Sequence, residues 1–396
     1  MTASRTDPPD AVPREVPGDV LVWAEQREAA RTARDFGTAD ALRAAIDGAG
    51  WQVADTAQGW TLRPKPPYAV LQSVADLPDR SAVASDHRVT VALLVDGWPA
   101  DLRTCVHALL AYTPPEVLLL GLDLGNVDGA GDALHELALA APDRVQEWHV
   151  QAATGWAAAR TAALRLDVAE IHVWLETSTL LEGDGLSPIL DAFADPGVVA
   201  AGWRGVDVDL DDDWRSFHPA GPGEVDALLG YLFAMRRQAA LEAGGPDPKA
   251  RFYRNADMEF SFALRESTGG RLVVPAGTLP IRQGRHRGYH DSDPAYRDRE
   301  SKRNYDRFLR RFRHRTDLLA PTIHHPPPTC PRLAIPPAGD SIADLPPDPA
   351  TGRDGSTGRH ESGRLVGQRL PAAGLGPPPR LGDRAAGPDS GRVRGQ

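Results

Sequence analysis

From about residue 88, the chain alternates between short apolar runs and longer stretches whose apolar residues recur at helical spacing. The runs Val89–Val95 and Glu116–Leu122 are nearly continuous in apolar residues, which is typical of strands buried on both faces. Pro99–Ala111 and Thr154–Leu166 are predicted to be helices, and Pro114 ends the first of them. Repeated β-α units of this length predict an α/β fold with a mostly parallel sheet flanked by helices.

The alternation continues to residue 318, which is the predicted end of this domain. Further strands are predicted at Val145–Val150, Ala169–Leu175, Val198–Trp203, Leu228–Arg236 and Arg271–Val274, and further helices at Asp128–Ala140, Leu186–Ala194, Ala256–Glu266 and Pro294–Arg315. Open α/β sheets bind their ligands at the carboxyl ends of strands. Polar side chains that follow a predicted strand are therefore the candidates for a functional site.

Residues 19–64 are predicted to form a separate small helical module. Asp19 and Thr38 are placed to cap two helices, and a hairpin is predicted between Trp51 and Leu62. The domain that starts at residue 88 is joined to this module by residues 65–87, which are rich in proline and polar residues and predict a linker.

The two ends of the chain lack any periodic pattern. Residues 1–18 hold several prolines and charges, and residues 319–396 are rich in Pro, Gly and Arg with few large apolar side chains. Such segments cannot bury enough apolar surface to offset the entropy of ordering the chain. We expect a disordered start and a disordered carboxyl-terminal tail.

Composition and charge narrow the class of protein. A chain of 396 residues with a net charge of −10 does not attract nucleic acid or an anionic membrane through its bulk charge. The first residues lack the apolar core of a signal peptide, and no apolar run approaches the roughly 18 residues of a spanning helix. A soluble, cytoplasmic protein is expected. Cys105 and Cys330 are too few to form a disulfide framework or a metal knuckle.

The small module carries a recognisable set of residues: Arg27, Ala39-Asp40, Leu42-Arg43, Asp55-Thr56, Gln58-Gly59 and Trp60. In this combination the segment resembles the carboxyl-terminal tail of bacterial cysteinyl-tRNA synthetases. The rest of the chain has no HIGH or KMSKS signature, so the resemblance does not bring the synthetase's chemistry with it. A tRNA contact and a helical hairpin kept for packing or dimerisation both stay open, and the second is favoured.

Four motifs between Val89 and Phe312 are similar, in their order, to family-2 glycosyltransferases of the GT-A (Rossmann-like) fold. The first is the second strand's end, where Asp123 and Asn126 occupy the turn that holds the nucleotide base in that family. The second is TGWAAARTAALRL, in which the resemblance places Gly155 and Arg160 beside the donor's diphosphate.

The third motif is the break HVWLETSTLLEGDGL, where the family has its metal-binding Asp-x-Asp. Here the position reads Glu176-Thr177-Ser178, and a serine hydroxyl is a weak ligand for Mg²⁺ or Mn²⁺. Three outcomes therefore stay open. A divalent cation is held by Glu176 and phosphates, cationic side chains replace it, or the site has lost catalysis.

The fourth motif surrounds Asp257, which matches the family's general base for an acceptor hydroxyl, although Ala256 replaces the neighbouring Glu. Downstream, the resemblance implies a histidine that reaches the metal or the diphosphate, and His290 or His286 could serve, with His290 taken as the candidate ligand. The basic run Lys302–Arg313 predicts an amphipathic helix docked on the domain, with contact to a membrane surface or a polyphosphate as the alternative.

Taken together, the motifs imply a glycosyltransferase that moves a sugar from a nucleotide-sugar donor to an unidentified acceptor hydroxyl, with inversion. Asp257 would act as the base, while Asp123, Asn126, Gly155, Arg160, Glu176 and Ser178 would bind the donor. The replaced positions Ser178, Thr161 and Ala256 motivate an alternative, a non-catalytic transferase fold that binds nucleotide or RNA.

Overall fold

The computed structural model describes residues 15–56, 59–151 and 154–321. Its α-helices are α1 (Gly18–Thr32), α2 (Phe36–Gly48), α3 (Pro99–Tyr112), α4 (Ala130–Ala140), α5 (Trp156–Leu166), α6 (Ser187–Asp191), α7 (Arg237–Glu242), α8 (Ala256–Thr268), α9 (Arg287–His290) and α10 (Pro294–Phe312). Its strands are β1 (Trp51–Thr56), β2 (Gly59–Pro64), β3 (Val70–Leu71), β4 (His87–Val95), β5 (Val117–Leu124), β6 (Val145–Val150), β7 (Ala169–Leu175), β8 (Thr179–Leu181), β9 (Val198–Gly202), β10 (Gly205–Val208), β11 (Phe217–Ala220), β12 (Gly223–Glu224), β13 (Ala227–Leu228), β14 (Leu232–Arg236), β15 (Arg271–Val274) and β16 (Ile281–Gln283).

The central sheet has nine strands in the order β12-β15-β9-β14-β7-β4-β5-β6-β3. Pairing is parallel from β3 through β6, β5 and β4 to β7, and again between β9 and β15. Strand β14 lies antiparallel between β7 and β9, and β12 is antiparallel to β15. The predicted α/β class with a mostly parallel, helix-flanked sheet is confirmed.

Strand β4 shows why the run Val89–Val95 is apolar at every position except Thr90, whose hydroxyl contacts the His87 ring. Val91 and Leu93 pack into a core with helices α3 and α4, whereas Ala92 between them packs into a second core with α5. Successive side chains of a strand point to opposite faces, so a strand covered on both faces is apolar at nearly every position. The sheet is therefore a middle layer between two layers of helices.

The antiparallel strand β14 carries the chain into the second half of the domain. Helices α8 and α10 meet there through Phe262 and Phe308, whose ring centroids lie 5.1 Å apart in an edge-to-face arrangement. Phe260 on α8 packs instead against Trp174 of β7. The helix that starts at Ala256 is thereby fixed against the same strand that ends before Glu176.

The small module has its own apolar core, made by Val20, Ala24, Ile46 and Trp51. Its hairpin pairs β1 with β2 in an antiparallel register, and predicted turn residue Gln58 lies outside the described residues. The predicted caps are wrong in position. Helix α1 starts before Asp19, and α2 is capped by Asp35, whose carboxylate accepts a hydrogen bond from the Thr38 N–H.

Residues 65–87 are more than the linker that the sequence predicts. Val70–Leu71 adds an edge strand to the sheet by parallel pairing with β6, and Leu77 is buried beside the apolar face of that half of the sheet. Arg237 donates hydrogen bonds to the main-chain oxygens of Arg80 and Val83. The sequence did not predict these contacts, because most of them are made by main-chain atoms of residues 65–87, which every residue type has.

The packed domain also extends past the predicted boundary at residue 318. Leu319 and Ala320 are buried, and the Ala320 N–H donates to the Asp226 carboxylate over 2.7 Å. The rest of the predicted tail, residues 322–396, and residues 1–14 of the predicted start lie outside the described residues. Among the residues described, no helix combines the length and apolar character needed to cross a bilayer.

Two leucines of α4 test the core of this sheet. Leu134 is fully buried against Gly121 of β5, where an added Cβ would lie 2.3 Å from a Leu134 methyl carbon, whereas Leu139 is 68% exposed. We expect Leu134→Ala to lower the free energy of unfolding by about 2–5 kcal/mol through the cavity it leaves. Leu139→Ala, on the same helix, should change it by less than about 0.5 kcal/mol. Urea unfolding checks both, and equal effects of the two substitutions would contradict the described packing.

Candidate active site

Two neighbouring cavities open at the carboxyl edge of the sheet. The larger, here called the strand-end cavity, has a volume of about 220 Å³ and is lined by residues at or just after the ends of β4, β5 and β7, among them Asp96, Trp98, Leu124 and Glu176. The smaller, the Asp257 cavity, has a volume of about 40 Å³. Glu176, Tyr253 and His286 line both. A ligand in each cavity would therefore meet at these three side chains.

Glu176 is held at the boundary by both its main chain and its side chain. Its N–H donates to the Tyr231 oxygen over 3.1 Å, which ties the end of β7 to the approach of β14. Its carboxylate accepts from Arg160 over 3.1 Å, and the side chain remains 21% exposed to the cavities. The predicted convergence of Arg160 and Glu176 is present.

Arg160 itself lies below the cavities. Its guanidinium is buried, donates to the Ala92 oxygen over 3.0 Å, and sits 5.5 Å from the centroid of the Trp174 ring. Burial lowers the pKa of Arg160, and the Glu176 carboxylate opposes that shift. Arg160 lines neither cavity, and it contacts them only through the Glu176 carboxylate, whereas the resemblance implied a direct contact with the diphosphate.

Asp257 lies in the first turn of α8 and lines the smaller cavity. One carboxylate oxygen accepts from the Gly230 N–H over 2.8 Å and the other from the Met258 N–H over 2.9 Å. The side chain is nearly buried, and this desolvation raises the pKa of Asp257 to about 6 against the lowering effect of those N–H groups. A carboxylate with this pKa is ionised at neutral pH and is a stronger base than an exposed aspartate.

His286, and not His290, is the histidine at this site. His286 is buried, its ring stacks on Tyr253 at a centroid distance of 4.5 Å, and Nε2 lies 3.9 Å from the Glu176 carboxylate. Neither ring nitrogen has a hydrogen-bond partner among the described residues, and burial lowers the pKa of His286. His290 lies one helical turn later, is exposed and lines neither cavity. The structure therefore does not bring His290 to the two cavities, where His286 lies instead.

Two other residues that were predicted to bind the nucleotide-sugar donor, Ser178 and Gly155, make close contacts within the protein itself. Ser178 lines the strand-end cavity, but its hydroxyl accepts from the Gln283 amide over 2.9 Å. Gly155 precedes α5, and a Cβ there would lie 3.2 Å from the Arg251 Cα. The Trp156 N–H donates to the Arg251 oxygen over 3.1 Å. The close approach at Gly155 is therefore to the protein's own segment around Arg251.

Asp123 and Asn126 do not line either cavity. Asp123 is buried, with its carboxylate accepting from the Asn126 N–H over 2.8 Å and contacting His149 over 3.0 Å. The Asn126 amide oxygen accepts from the Gly131 N–H at the start of α4. Tyr68, from the predicted linker, covers this corner by stacking on His149 at 3.8 Å. The structure therefore keeps Asp123 and Asn126 outside the two cavities, with Asp123 buried and Asn126 partly exposed.

Several residues of the site were missed from the sequence. Asp96 and Trp98 come directly after β4, so the Asp96-Gly97 pair after the strand Val89–Val95 was the signal that could have found them. Trp98 has a left-handed backbone with φ of 53°, a conformation that costs energy for a bulky residue and is concentrated at functional sites. Tyr231 and Tyr253 had no such signal, because only folding brings them to the cavities.

The side chains present do not form a metal centre by themselves. A divalent cation needs several oxygen or nitrogen ligands that converge on one point. Within residues 15–56, 59–151 and 154–321, no group of three His, Cys, Asp or Glu side chains could hold a metal ion. Glu176 is also already paired with Arg160. The residues described therefore do not fit a cation held by the protein alone.

Comparison with solved structures finds glycosyltransferases. The chain is similar to a mannosyltransferase from Pyrobaculum calidifontis, solved in complex with GDP-Man and Mn²⁺, at 18% identity over 59% of this chain and 67% of that chain, with a TM-score of 0.45. It is also similar to GalNAc-T7 with UDP, GalNAc and Mn²⁺, at 15% identity over 57% of this chain and 48% of that chain, with a TM-score of 0.45. At this level of similarity, function has to be inferred from the site itself.

Comparison with curated proteins finds a match for the amino-terminal stretch. It is 48% identical over 60 residues to a cysteine–tRNA ligase from Opitutus terrae, which is 15% of this chain and 13% of the ligase. The chain thus spans only a small part of that ligase. No protein-family model matches the chain.

The corner around His149 makes a prediction about stability and pH. Burial lowers the pKa of His149, but its contacts with Asp123 and Glu147 outweigh burial, so the pKa lies above its ordinary value. Its contribution to stability is then complete below about pH 6.5, the unfolded value, and is lost as pH rises through the folded pKa. We expect the stability difference between wild type and His149→Gln, measured by urea unfolding, to shrink over that range.

His107→Gln is the matched control, because His107 is exposed on α3. The free energy of unfolding of His107→Gln should stay within about 0.5 kcal/mol of the wild-type value at each pH measured. A stability difference for His149→Gln that does not change with pH would refute the role given to the Asp123 and Glu147 contacts.

Proposed function

We propose that the chain is a glycosyltransferase of family 2 that transfers a sugar from a nucleotide-sugar donor to an acceptor hydroxyl with inversion. The observation that carries this proposal is the meeting of two cavities at Glu176, Tyr253 and His286, with a desolvated carboxylate in one of them. An in-line displacement needs the nucleophile and the leaving group on opposite sides of the reacting carbon. Two cavities that share one boundary suit that requirement.

The donor is assigned to the strand-end cavity. Trp98 and Leu124 offer apolar surface to a nucleobase, and the cavity continues toward Arg251 and His286. A guanidinium and an imidazole are suitable groups for contact with a diphosphate. Nucleotides bound by the two solved transferases, GDP-Man and UDP, belong to the class of ligand that this cavity would take.

The acceptor hydroxyl is assigned to the Asp257 cavity. Asp257 would take the hydroxyl proton, the oxygen would form a bond to the anomeric carbon, and the bond from that carbon to the diphosphate oxygen would break. The electron pair of the broken bond leaves with the nucleoside diphosphate. Glu176, held by Arg160, would orient the sugar at the boundary, and buried positions make such contacts stronger than they are in water.

A cytoplasmic location stays a prediction from the sequence. A tRNA contact of the small module stays a prediction too, and it rests on the resemblance and on the short match to the ligase. No step of the proposed reaction passes through a metal ion, since the described residues do not fit one held by the protein alone.

Asp257→Asn tests the proposed base. We expect the substitution to lower kcat by about 10²- to 10⁴-fold, because proton removal by a positioned side chain is worth that much. In the wild type, kcat/KM should fall as pH decreases through about 6, where Asp257 becomes protonated. Turnover of UDP- and GDP-sugars, followed by nucleotide release over this pH range, measures both.

Asp207→Asn is the control for this experiment. Burial raises the pKa of Asp207 to about 6 as well, and its carboxylate also accepts a main-chain N–H, from Asp226, but it lines neither cavity. This variant should keep its activity and its pH profile. Full activity of Asp257→Asn, or an equal loss in both variants, would remove Asp257 from the role of base.

Nucleotide binding separates an active transferase from the non-catalytic alternative. We expect UDP or GDP to bind in the presence of EDTA, because the guanidinium groups of Arg251 and Arg287 line the strand-end cavity and can contact a diphosphate. Mn²⁺ alone should bind weakly. Calorimetric titrations of the protein with UDP or GDP in EDTA, and with Mn²⁺ alone, measure these affinities. Nucleotide binding without turnover of any nucleotide sugar would favour the binding protein, and no nucleotide binding would exclude both.

A further inference from the structure

A groove lined by basic residues runs beside the proposed site. It lies between α10 and the segment 247–251, has a volume of about 760 Å³, and is lined by six cationic side chains: Lys249, Arg251, Arg303, Arg307, Arg310 and Arg311. We call it the basic groove. This concentration of positive charge contrasts with the chain as a whole, whose net charge is −10.

The carboxylates around the groove are already paired. Asp247 lies 3.4 Å from Arg307, and Glu300 lies 2.6 Å from Arg303. Asp306 is bound by Lys302, while Arg311 pairs with Glu266. No carboxylate of the lining is left over to neutralise a further cation.

Three cations of the groove therefore remain. Within the part of the chain that the structure describes, Lys249, Arg251 and Arg310 have no carboxylate within ion-pair distance, and all three side chains are exposed. They lie on two different elements that face each other across the groove. Opposed cations without internal partners favour an anionic ligand, and guanidinium groups suit the geometry of phosphate.

The groove is continuous with the proposed site. Arg251 lines both the basic groove and the strand-end cavity, and the chain that follows it supplies Tyr253 and then Asp257. Lys249 and Arg310 line only the groove, so the groove offers an anion site beyond the one assigned to the donor's diphosphate.

We propose that the basic groove binds a phosphate group carried by the acceptor, an inference that rests on the proposed transferase function. The acceptor would then be a phosphate ester or diphosphate whose free hydroxyl reaches Asp257. A lipid headgroup and a soluble phosphorylated compound share this chemistry, and the experiment distinguishes them.

The test uses the full chain with inorganic pyrophosphate as the probe, titrated calorimetrically at low salt while UDP or GDP, whichever binds, saturates the donor site. We expect the double variant Lys249→Ala and Arg310→Ala to bind pyrophosphate about tenfold more weakly or worse, because it loses two charge-assisted contacts. The control double variant Arg63→Ala and Arg88→Ala removes the same charge from two exposed positions, on β2 and β4, that line neither the basic groove nor either cavity. It should bind pyrophosphate within about twofold of wild type.

Equal loss in both double variants, or no loss in either, overturns the proposal, since binding would then follow net charge or lie elsewhere. Nucleotide binding is measured in parallel. If the groove variant loses pyrophosphate while wild type binds no nucleotide, the transferase function fails and only the anion site stands.

A second arm identifies the source of the phosphate. The wild-type chain and both double variants are sedimented with phosphatidylglycerol vesicles and with phosphatidylcholine vesicles. If wild type and the control variant sediment with the phosphatidylglycerol vesicles and the groove variant does not, the acceptor is a lipid. Pyrophosphate binding without retention supports a soluble one.

Discussion

The pairing of Arg160 with Glu176 is the interaction on which the candidate site depends. Arg160 is buried below the sheet edge, where it joins the oxygen of Ala92 on β4 to the carboxylate that follows β7. A buried ion pair is weak evidence for stability, but removing one partner leaves an uncompensated charge at a cost of about 3–5 kcal/mol. The pair therefore fixes Glu176 between the two cavities, and it explains a buried arginine on helix α5.

The second constraint is the direction of β14. Its antiparallel insertion between β7 and β9 reverses the chain beside the end of β7 and leads into α7 and the segment before α8. Asp257, in the first turn of α8, is thereby brought to the same edge as Glu176, although 81 positions of sequence separate the two residues. Burial there raises the pKa of Asp257, and the neighbouring tyrosines supply the apolar wall that keeps water away.

Prediction from the sequence was most accurate where a physical pattern is local. The apolar runs identified the strands β4 to β7, and burial on both faces explains why the runs in β4 and β5 are almost continuously apolar. Glu176, Ser178 and Asp257 were placed at the site by motif resemblance, and the structure brings them to the two cavities. Asp123 and His290 were misplaced for one reason. Position after a strand or near a motif gives no information on which neighbours cover a side chain or which way it faces.

The sequence by itself determined the layered α/β class, the order of its elements and a carboxylate at the end of β7, because hydrophobic periodicity and strand ends are properties of neighbouring residues. Only the tertiary structure decided that Tyr68 stacks on the His149 ring beside Asp123, and that His286 rather than His290 lines the cavities. It also decided that Lys249, Arg251 and Arg310 of the basic groove have no carboxylate partner among the residues described. These outcomes depend on contacts between residues far apart in the chain, and on the desolvation that packing imposes, neither of which a one-dimensional pattern contains.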